Sequence, residues 1–235
     1  MVDIHCHLLY GVDDGPKEIA ESVKMLESAA EQGVTHIILT PHYRRGMFRF
    51  DRELAYSHME QLKPYASKLG IELHLGTEVH VNGDIIEYLE EGKCLSLAGS
   101  EYVLTEYEYD TEYSYIFQMS HLLMRYGYIP VIAHVERYGC LVKNPKKIEE
   151  LQEIGALIQV NAGAVIGEEG WASKNFCKKL LKHNWVDIVA SDSHGMKKRV
   201  CYMAKAYDYI SDKFGERQSI RLMLTNPDKI LQDNA

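Results

Sequence analysis

Seven short apolar segments recur along this 235-residue chain, and a stretch with helical periodicity follows each of them. The segments begin at Val2, Val34, Ile71, Glu101, Tyr128, Ala156 and Val186. Runs such as Ile37-Ile38-Leu39 have no polar face, which is typical of parallel strands that helices cover on both sides. The alternation therefore predicts an α/β fold on a parallel sheet, either a β/α barrel or an open doubly wound sheet.

The helices and the first loop add detail to this prediction. Ile19, Val23 and Leu26 recur on one face of the first helix, and Pro16 suits its first turn. Pro64 lies inside the second predicted helix and should kink or interrupt it. The loop after the first strand, HCHLLYGVDDG, is not the glycine-rich phosphate loop that would favour the open sheet.

Composition limits the class of protein and its partners. No run approaches the roughly 18 apolar residues of a membrane span, and the N-terminus lacks the features of a signal peptide. We therefore expect a cytoplasmic protein without membrane insertion. A net charge of −8 disfavours nucleic acid as the partner. The five cysteines form no C-x-x-C pair, which argues against a disulfide framework or a cysteine-based zinc site.

Residues that commonly bind metal ions lie at the carboxyl ends of six of the seven predicted strands. They are His5, His7, His42, Glu78, Glu106, His134, Asp192 and His194. Asp14, in the first loop, can reach the same face, where barrel enzymes place their chemistry. Any one of these residues has an ordinary structural explanation, but the joint placement at successive strand ends predicts a metal centre.

The spacing of these residues fits a cluster of ions. Side chains at i and i+2 of an extended chain point the same way, so His5 can act with His7. Imidazole and carboxylate ligands without thiolates suit zinc, manganese or iron(II), and Glu78 could bridge two ions. The remaining histidines are expected to be satisfied core or surface groups, and they are His36, His58, His74, His80, His121 and His183.

Four sequence segments, taken in their order along the chain, resemble the motifs of a known superfamily. DIHCHLLYGVDDG, TPHYRRG, HVERY and VASDSH are similar to the polymerase-and-histidinol-phosphatase (PHP) superfamily. The opening segment and YIPVIAHVER narrow the likeness to the manganese-dependent bacterial protein-tyrosine phosphatases of capsule and exopolysaccharide loci, the CpsB/YwqE type. The resemblance implies an α/β fold of the PHP kind, a distorted seven-stranded (β/α)7 TIM-like barrel that forms a single domain over residues 1–235.

The resemblance also implies three divalent metal ions, most readily manganese, with iron or zinc as alternatives. The ligands implied for the first ion are His5, His7, Glu78 and Asp192. Glu78 would bridge to a second ion, which Glu106 and His134 complete. The ligands implied for the third ion are Asp14, His42 and His194.

Two arginines match family positions, and their planar donors suit phosphoryl oxygens. Arg137 matches the arginine of the family's H-P-E-R motif, with an ion pair to Glu136 as the alternative. Arg199 matches the arginine after D-x-H, with a solvated basic stretch as the alternative. The chain departs from the family pattern at Val135 and Tyr10, where proline is usual, and neither change removes a predicted ligand.

Such a centre can hydrolyse a phosphate monoester. Two close divalent ions lower the pKa of a shared water, and the resulting hydroxide would attack phosphorus in line with the leaving oxygen. A tyrosyl leaving group, with a pKa of about 10, needs little acid assistance, and the sequence shows no dedicated general acid. A cysteine-based phosphatase mechanism does not fit, because no cysteine has an arginine six positions later.

The resemblance implies that the substrate is a phosphotyrosine protein, and a tyrosine autokinase of polysaccharide export is the expected one. Two alternatives remain, namely a histidinol-phosphatase-like enzyme acting on small molecules and a non-catalytic metal-binding regulator. The loop YRRGMFRF after His42 could receive a phosphotyrosine ring through Tyr43, Met47 or Phe48, or it could be a mobile surface loop. The sequence predicts no particular oligomeric state.

Overall fold

Parallel strands form two sheets in the computed structural model, which describes residues 1–233. The strands are β1 (Val2–Cys6), β2 (His36–Leu39), β3 (His42–Tyr43), β4 (Glu72–Leu75), β5 (Glu78–His80), β6 (Tyr102–Glu106), β7 (Ile129–Ile132), β8 (Leu157–Asn161) and β9 (Ile188–Ala190). One sheet has the order β1-β2-β4, and the other has the order β3-β5-β6-β7-β8-β9. All paired neighbours run parallel, so the predicted parallel α/β fold is confirmed.

Helices connect the strands. They are α1 (Ile19–Glu31), α2 (Arg52–Lys68), α3 (Ile85–Glu90), α4 (Tyr113–Arg125), α5 (Gly139–Lys143), α6 (Lys147–Glu153), α7 (Ala162–Ile166), α8 (Trp171–Lys182), α9 (Met203–Phe214), α10 (Glu216–Ile220) and α11 (Asn226–Gln232). Short 3-10 turns lie at Leu97–Gly99 and Val135–Arg137, and a π-helical turn at Arg221–Thr225 joins α10 to α11. Within residues 1–233, no helix has both the length and the apolar character needed to cross a membrane.

Two of the predicted strands are each broken into two parts. β2 and β3 are separated by residues 40–41, and Pro41 has no N–H group to donate to a neighbouring strand. β4 and β5 are separated by residues 76–77, where Gly76 packs so closely that a Cβ would lie 3.1 Å from Leu97 Cα. The predicted seven strands are therefore nine shorter segments, and the exact (β/α)7 arrangement is not confirmed.

The first strand and the chain after the last strand lie side by side. The Asp192 amide donates a hydrogen bond to the carbonyl of His5 at 2.8 Å, and the His7 amide donates one to the carbonyl of Ser193 at 2.9 Å. Cys6 and Ser193 form an isolated parallel bridge. These bonds connect the two sheets and bring the carboxyl ends of β1 and β9 together.

Apolar side chains cover both faces of the strands, as the sequence predicts. One buried cluster takes residues from the strands of both sheets, among them Val2, Ile4, Ile38, Leu104, Val131, Ala133, Ile188 and Ala190. A larger cluster packs helix residues such as Leu26 and Leu62 with Ile37 and Leu73 of the strands. The burial of both faces leaves the strand ends as the places where polar groups can gather.

The predicted interruption of the second helix at Pro64 is wrong, because α2 continues from Arg52 to Lys68. Pro64 cannot donate a hydrogen bond to the carbonyl of Glu60. Both residues are exposed, so water can satisfy the carbonyl that Pro64 leaves free. The buried residues of α2 lie on the other face, and they are Ala55, Met59, Leu62 and Ala66.

The loop between β1 and α1 is held by hydrogen bonds. The hydroxyl of Ser22 donates to the carbonyl of Leu8 at 2.6 Å, and the amide of Gly11 donates to the carbonyl of Pro16 at 2.8 Å. Gly15 is packed against the end of β1, since a Cβ built there would lie 2.3 Å from the carbonyl oxygen of His7. No side chain fits at this position without a backbone shift.

Replacing Gly15 with alanine should therefore lower the free energy of unfolding by about 1–3 kcal/mol, the usual range for overpacking. Urea denaturation followed by circular dichroism measures the change. Gly83→Ala is a matched control, because no heavy atom lies within 4 Å of a Cβ built there. Equal stability of the two variants would contradict the packing that we describe.

Candidate metal centre

The nine predicted ligands come together at the carboxyl ends of the strands. The structure brings ligand atoms from eight of them within 4.8 Å of one another in three overlapping groups. The groups are His5, His7 and Asp192; His7, Asp14, His42 and His194; and His42, Glu78 and Glu106. His134 lies outside these groups but borders the third, with Nε2 at 2.9 Å from Glu78 Oε1 and 3.6 Å from Glu106 Oε1.

His5 and His7 turn their Nε2 atoms toward each other at 3.2 Å. On the other side of each ring, His5 Nδ1 lies 3.2 Å from Gln159 Oε1, and His7 Nδ1 lies 2.8 Å from Asp13 Oδ2. Because these oxygens accept hydrogen bonds, the Nδ1 atoms carry protons and both Nε2 atoms present lone pairs in the neutral rings. Two lone pairs at this distance require a positive charge between or beside them.

Glu78 is the buried centre of the arrangement. Its Oε2 lies 3.3 Å from His5 Nε2, 3.1 Å from His7 Nε2 and 3.0 Å from His42 Nδ1. It forms no hydrogen bond with any of them. Burial would raise the pKa of Glu78, but the positive potential of His5 and His42 outweighs this effect and keeps the carboxyl ionised.

The charges of this centre attract cations. Burial would lower the pKa of His5, but Glu78 and Asp192 outweigh it and raise that pKa to about 9. Burial and the neighbouring Glu78 carboxylate raise the pKa of Glu106 to about 7. Without metal the site thus gathers protons around its carboxylates, and metal ions would displace those protons.

Asp14 stands at the solvent side of the centre, with its side chain 47% exposed. Its Oδ1 lies 3.4 Å from His42 Nε2 and 3.3 Å from His194 Nε2. His194 Nδ1 donates a hydrogen bond to the backbone carbonyl of Asp192 at 3.0 Å, which leaves Nε2 buried and without a hydrogen-bond partner. The open Nε2 of His194 is therefore free to bind a cation.

These residues fit divalent metal ions. Each group contains imidazole nitrogens or carboxylate oxygens without a thiolate, the ligand set of zinc, manganese and iron(II). Two buried ligand atoms, Glu78 Oε2 and His194 Nε2, have no hydrogen-bond partner. Buried polar atoms are normally paired, so these two atoms point to a ligand of the folded protein.

Asp13, the first of the two aspartates in the segment GVDDG, makes contacts through both of its carboxylate oxygens. Its Oδ1 accepts a hydrogen bond from the Gly15 amide at 2.9 Å, which is the turn contact. Its Oδ2 lies 2.8 Å from His7 Nδ1 and accepts a hydrogen bond from the His42 amide at 3.1 Å. Asp13 thus orients two predicted ligands, and its only sequence signal is its position beside Asp14.

Strand β8, the one predicted strand without a ligand at its end, supplies hydrogen bonds to the centre. Gln159 Oε1 accepts from the His134 amide at 2.8 Å, and Gln159 Nε2 donates to Asn161 Oδ1 at 2.9 Å. Asn161 Nδ2 donates to Asp192 Oδ2 at 2.8 Å. The sequence reasoning missed both residues, although their i, i+2 spacing repeats that of His5 and His7.

Arg137 is held between two carboxylates at the edge of the centre. Its Nη2 donates to Glu169 Oε2 at 3.0 Å and lies 3.1 Å from Asp192 Oδ2. The ion pair with Glu136 that the sequence allowed is not present, because Glu136 Oε1 accepts a hydrogen bond from the backbone of Asn161 at 2.9 Å. Glu169 has no motif to identify it in the sequence.

Arg199 contacts Asp192 from the opposite side. Its Nη2 donates to Asp192 Oδ1 at 2.7 Å, and its Nη1 lies 3.8 Å from Asp14 Oδ2. Lys197 and Lys198 line a cavity of about 270 Å³ together with Arg199, but only the arginine pairs with a predicted ligand. The guanidinium is therefore joined to the centre and does not belong to a solvated basic stretch.

Cys6, between His5 and His7, and the loop YRRGMFRF after His42 are the remaining features of the sequence near the centre. Cys6 Sγ is buried and lies 3.2 Å from the Ser193 hydroxyl, and burial raises the pKa of this thiol well above its usual range. Phe48 stacks on the His42 ring with centroids 5.2 Å apart, whereas Tyr43 is buried and Met47 is 63% exposed. Phe48 is thus the aromatic side chain of this loop that touches the centre.

Comparison with known proteins places this geometry in a family. Residues 1–232 match the family described as capsular polysaccharide synthesis, CpsB/CapC. The chain is 36% identical to the tyrosine-protein phosphatase CpsB of Streptococcus pneumoniae over 241 residues, which is 99% of each chain. It is 34% identical to the tyrosine-protein phosphatase YwqE of Bacillus subtilis (strain 168), covering 100% of this chain and 92% of that protein.

Solved structures agree with the sequence comparison. A structure from the work on YwqE of Bacillus subtilis and CpsB of Streptococcus pneumoniae, described as unique metal-dependent tyrosine phosphatases, matches with a TM-score of 0.91 and 32% identity. The match covers 99% of this chain and 95% of that one. Dihydropyrimidinase from Brevibacillus agri matches with a TM-score of 0.61 and 13% identity, covering 99% of this chain and 70% of that one, which shows a likeness of fold alone. The predicted resemblance is therefore confirmed, and this chain belongs to the CpsB/CapC family of capsular polysaccharide synthesis.

Proposed function

We propose that this protein is a metal-dependent protein-tyrosine phosphatase that acts in the synthesis of capsular or extracellular polysaccharide. The observation that carries the proposal is the convergence of three imidazole nitrogens on Glu78 Oε2, a buried atom without a hydrogen-bond partner. The relatives in Streptococcus pneumoniae and Bacillus subtilis are named tyrosine-protein phosphatases, and their structures are described as metal-dependent. All nine predicted ligand positions hold residues that can bind a metal ion, which argues against a non-catalytic metal-binding regulator.

The nine ligands would hold three divalent ions, for which manganese is our first choice and iron or zinc the alternatives. His5, His7, Glu78 and Asp192 would bind the first ion, and Glu78, Glu106 and His134 the second. Asp14, His42 and His194 would bind the third. Bound divalent ions lower the pKa of water and so provide a nucleophile near neutral pH.

Arg137 and Arg199 would bind the phosphoryl oxygens. Both guanidinium groups approach Asp192, and their side chains remain 19% and 34% exposed, so each can also face the solvent side of the centre. The transition state of phosphoryl transfer spreads negative charge over these oxygens, which planar cationic donors stabilise. Glu169 and Asp192 would hold Arg137 in position for this contact.

The loop after β3 would receive the tyrosyl ring of the substrate. Phe48 offers an aromatic face next to His42, and the same loop lines a cavity of about 620 Å³ together with Tyr88 of α3. Arg44, Arg45 and Arg49 also line this cavity, as do the acidic residues Asp84, Glu87 and Glu91. We infer that the substrate is a phosphotyrosine protein, with a tyrosine autokinase of polysaccharide export as the expected partner.

The fold proposed for this activity is the distorted seven-stranded PHP barrel in one domain of residues 1–235, of which the last two lie outside the described residues. In this interpretation β2 with β3, and β4 with β5, each form one strand that is bent in the middle. The hydrogen bonds between β1 and residues 192–193 support closure of the barrel.

The substrate class is tested by parallel assays with a phosphotyrosine peptide and with histidinol phosphate, each with added manganese, iron, zinc or magnesium. We expect faster turnover of the peptide, and loss of activity by at least about 100-fold in His7→Ala, since His7 belongs to two of the three ligand groups. Faster turnover of histidinol phosphate would favour the small-molecule alternative. Full manganese-dependent activity of the variant would contradict the proposed centre.

Asp13→Asn tests how the ligands are oriented. Asp13 accepts hydrogen bonds at both oxygens, and an amide has only one accepting oxygen, so either His7 or the Gly15 amide loses its acceptor. We expect manganese affinity to fall by about 10–100-fold, the usual effect of losing a hydrogen bond that orients a ligand. Manganese titration of activity measures it. Asp110→Asn, at an exposed position, should bind manganese like the unmodified protein.

Arg137→Lys tests phosphate binding while keeping the charge. A lysine has a single ammonium group, so it cannot hold Glu169 and Asp192 and also present a planar pair of donors. We expect kcat/KM for the phosphotyrosine peptide to fall by at least about tenfold, with unchanged manganese content. Arg125→Lys, on the exposed side of α4, is the control. Unchanged kcat/KM in Arg137→Lys would remove the proposed role.

A further inference from the structure

A second group of metal-binding side chains lies at the amino-terminal ends of the strands, away from the centre described above. His36 is the first residue of β2, Glu72 is the first residue of β4, and His74 follows two residues later. His36 is paired in register with Glu72, and Ile38 with His74. The sequence suggests only ordinary core or surface histidines here.

The three side chains share one face of the first sheet. Residues at i and i+2 of a strand point the same way, so His36 shares its face with Ile38 and Glu72 shares its face with His74. Residues paired in register also lie on the same face. Ile38 belongs to the buried cluster that joins the two sheets, and the group thus lies at the edge of that cluster.

The distances within the group suit a bound ion better than direct hydrogen bonds. His36 Nδ1 lies 3.8 Å from Glu72 Oε2, and His74 Nε2 lies 3.6 Å from Glu72 Oε1, both beyond hydrogen-bond length. One ligand atom from each residue lies within 4.8 Å of the other two. Neighbouring ligands of a tetrahedral zinc ion are roughly 3.4 Å apart, which follows from bonds of about 2.0–2.1 Å.

The lack of hydrogen-bond partners at two ring nitrogens of the group is an observation independent of these distances. His36 Nδ1 and His74 Nε2 are both buried atoms, and neither has a hydrogen-bond partner. Two buried ring nitrogens without a partner in one group are unusual, since folded proteins pair nearly all such atoms. The Glu72 side chain is 65% exposed, so an ion can reach the group from solvent and keep a water ligand.

We propose that His36, Glu72 and His74 form a zinc-binding site, separate from the phosphatase centre, with water as the fourth ligand. Three protein ligands of the imidazole and carboxylate type are sufficient for zinc. The bound ion would join β2 to β4 at the amino-terminal end of the first sheet, away from the ligands His42 and Glu78 of the second sheet. Among residues 1–233, no arginine forms an ion pair with Glu72, so we assign the site to stability rather than to phosphate chemistry.

Zinc content is the direct test. Four manganese-loaded proteins are dialysed against micromolar zinc, and their bound metal is counted by mass spectrometry. They are the unmodified protein, the variants Glu72→Gln and His36→Asn/His74→Asn, and the control His121→Asn. We expect the double variant to bind one zinc ion fewer per chain than the unmodified protein and the control. Glu72→Gln should bind this zinc at least about tenfold more weakly. It changes an exposed side chain, so a folded protein is expected.

Two further measurements separate this site from the phosphatase centre. Manganese-dependent phosphatase activity should be the same in all four proteins, which also shows that the variants fold. Zinc should raise the thermal unfolding midpoint more in the unmodified protein than in the double variant, because a ligand that binds only the folded state stabilises it. Equal zinc content in the unmodified protein and the double variant, loss of zinc in His121→Asn, or binding only at millimolar zinc would each overturn the proposal.

Discussion

The buried carboxylate of Glu78 is the constraint around which the rest of the centre is arranged. Its Oε2 is surrounded by ring nitrogens of His5, His7 and His42, and the Glu78 side chain has no exposed surface. Charges in such surroundings are stable only when opposite charges compensate them. The compensation has to come from protons on the imidazoles or from metal ions, and the outward hydrogen bonds of His5 and His7 turn their lone pairs toward that shared position.

Backbone strain also occurs within this centre. Three non-glycine residues of the centre, His134, Asp192 and Arg199, have positive φ angles of 34°, 50° and 48°. Such conformations cost of order 1–2 kcal/mol each for residues with a Cβ, and they persist where surrounding contacts hold them. Here the contacts are hydrogen bonds from the His134 amide to Gln159 Oε1 and from the Arg199 guanidinium to Asp192 Oδ1. Two of the three strained residues, His134 and Asp192, are themselves predicted ligands.

The sequence predicted the parts of the site that follow from strand geometry. The carboxyl ends of parallel strands converge, so ligand-type residues such as His5, Glu106 and His134 could be assigned to one face from their position after apolar segments. Residues that act through hydrogen bonds, such as Gln159 and Glu169, have no such signal. Their roles depend on which side chains meet after folding, and glutamine or glutamate alone does not indicate that. The strand breaks were missed for a similar reason, since Gly76 is needed only because Leu97 packs against it.

The two breaks lie between a strand pair of the first sheet and the strand pair that follows it in the second sheet. His36 pairs in register with Glu72 before the breaks, and His42 pairs in register with Glu78 after them. The two segments contain the same number of residues between these pairs, so they bend together and keep their alignment. The alignment that brings Glu78 to His42 at one end is therefore the one that brings Glu72 to His36 at the other. A zinc ion bound between β2 and β4 would stabilise that alignment without touching the phosphatase centre.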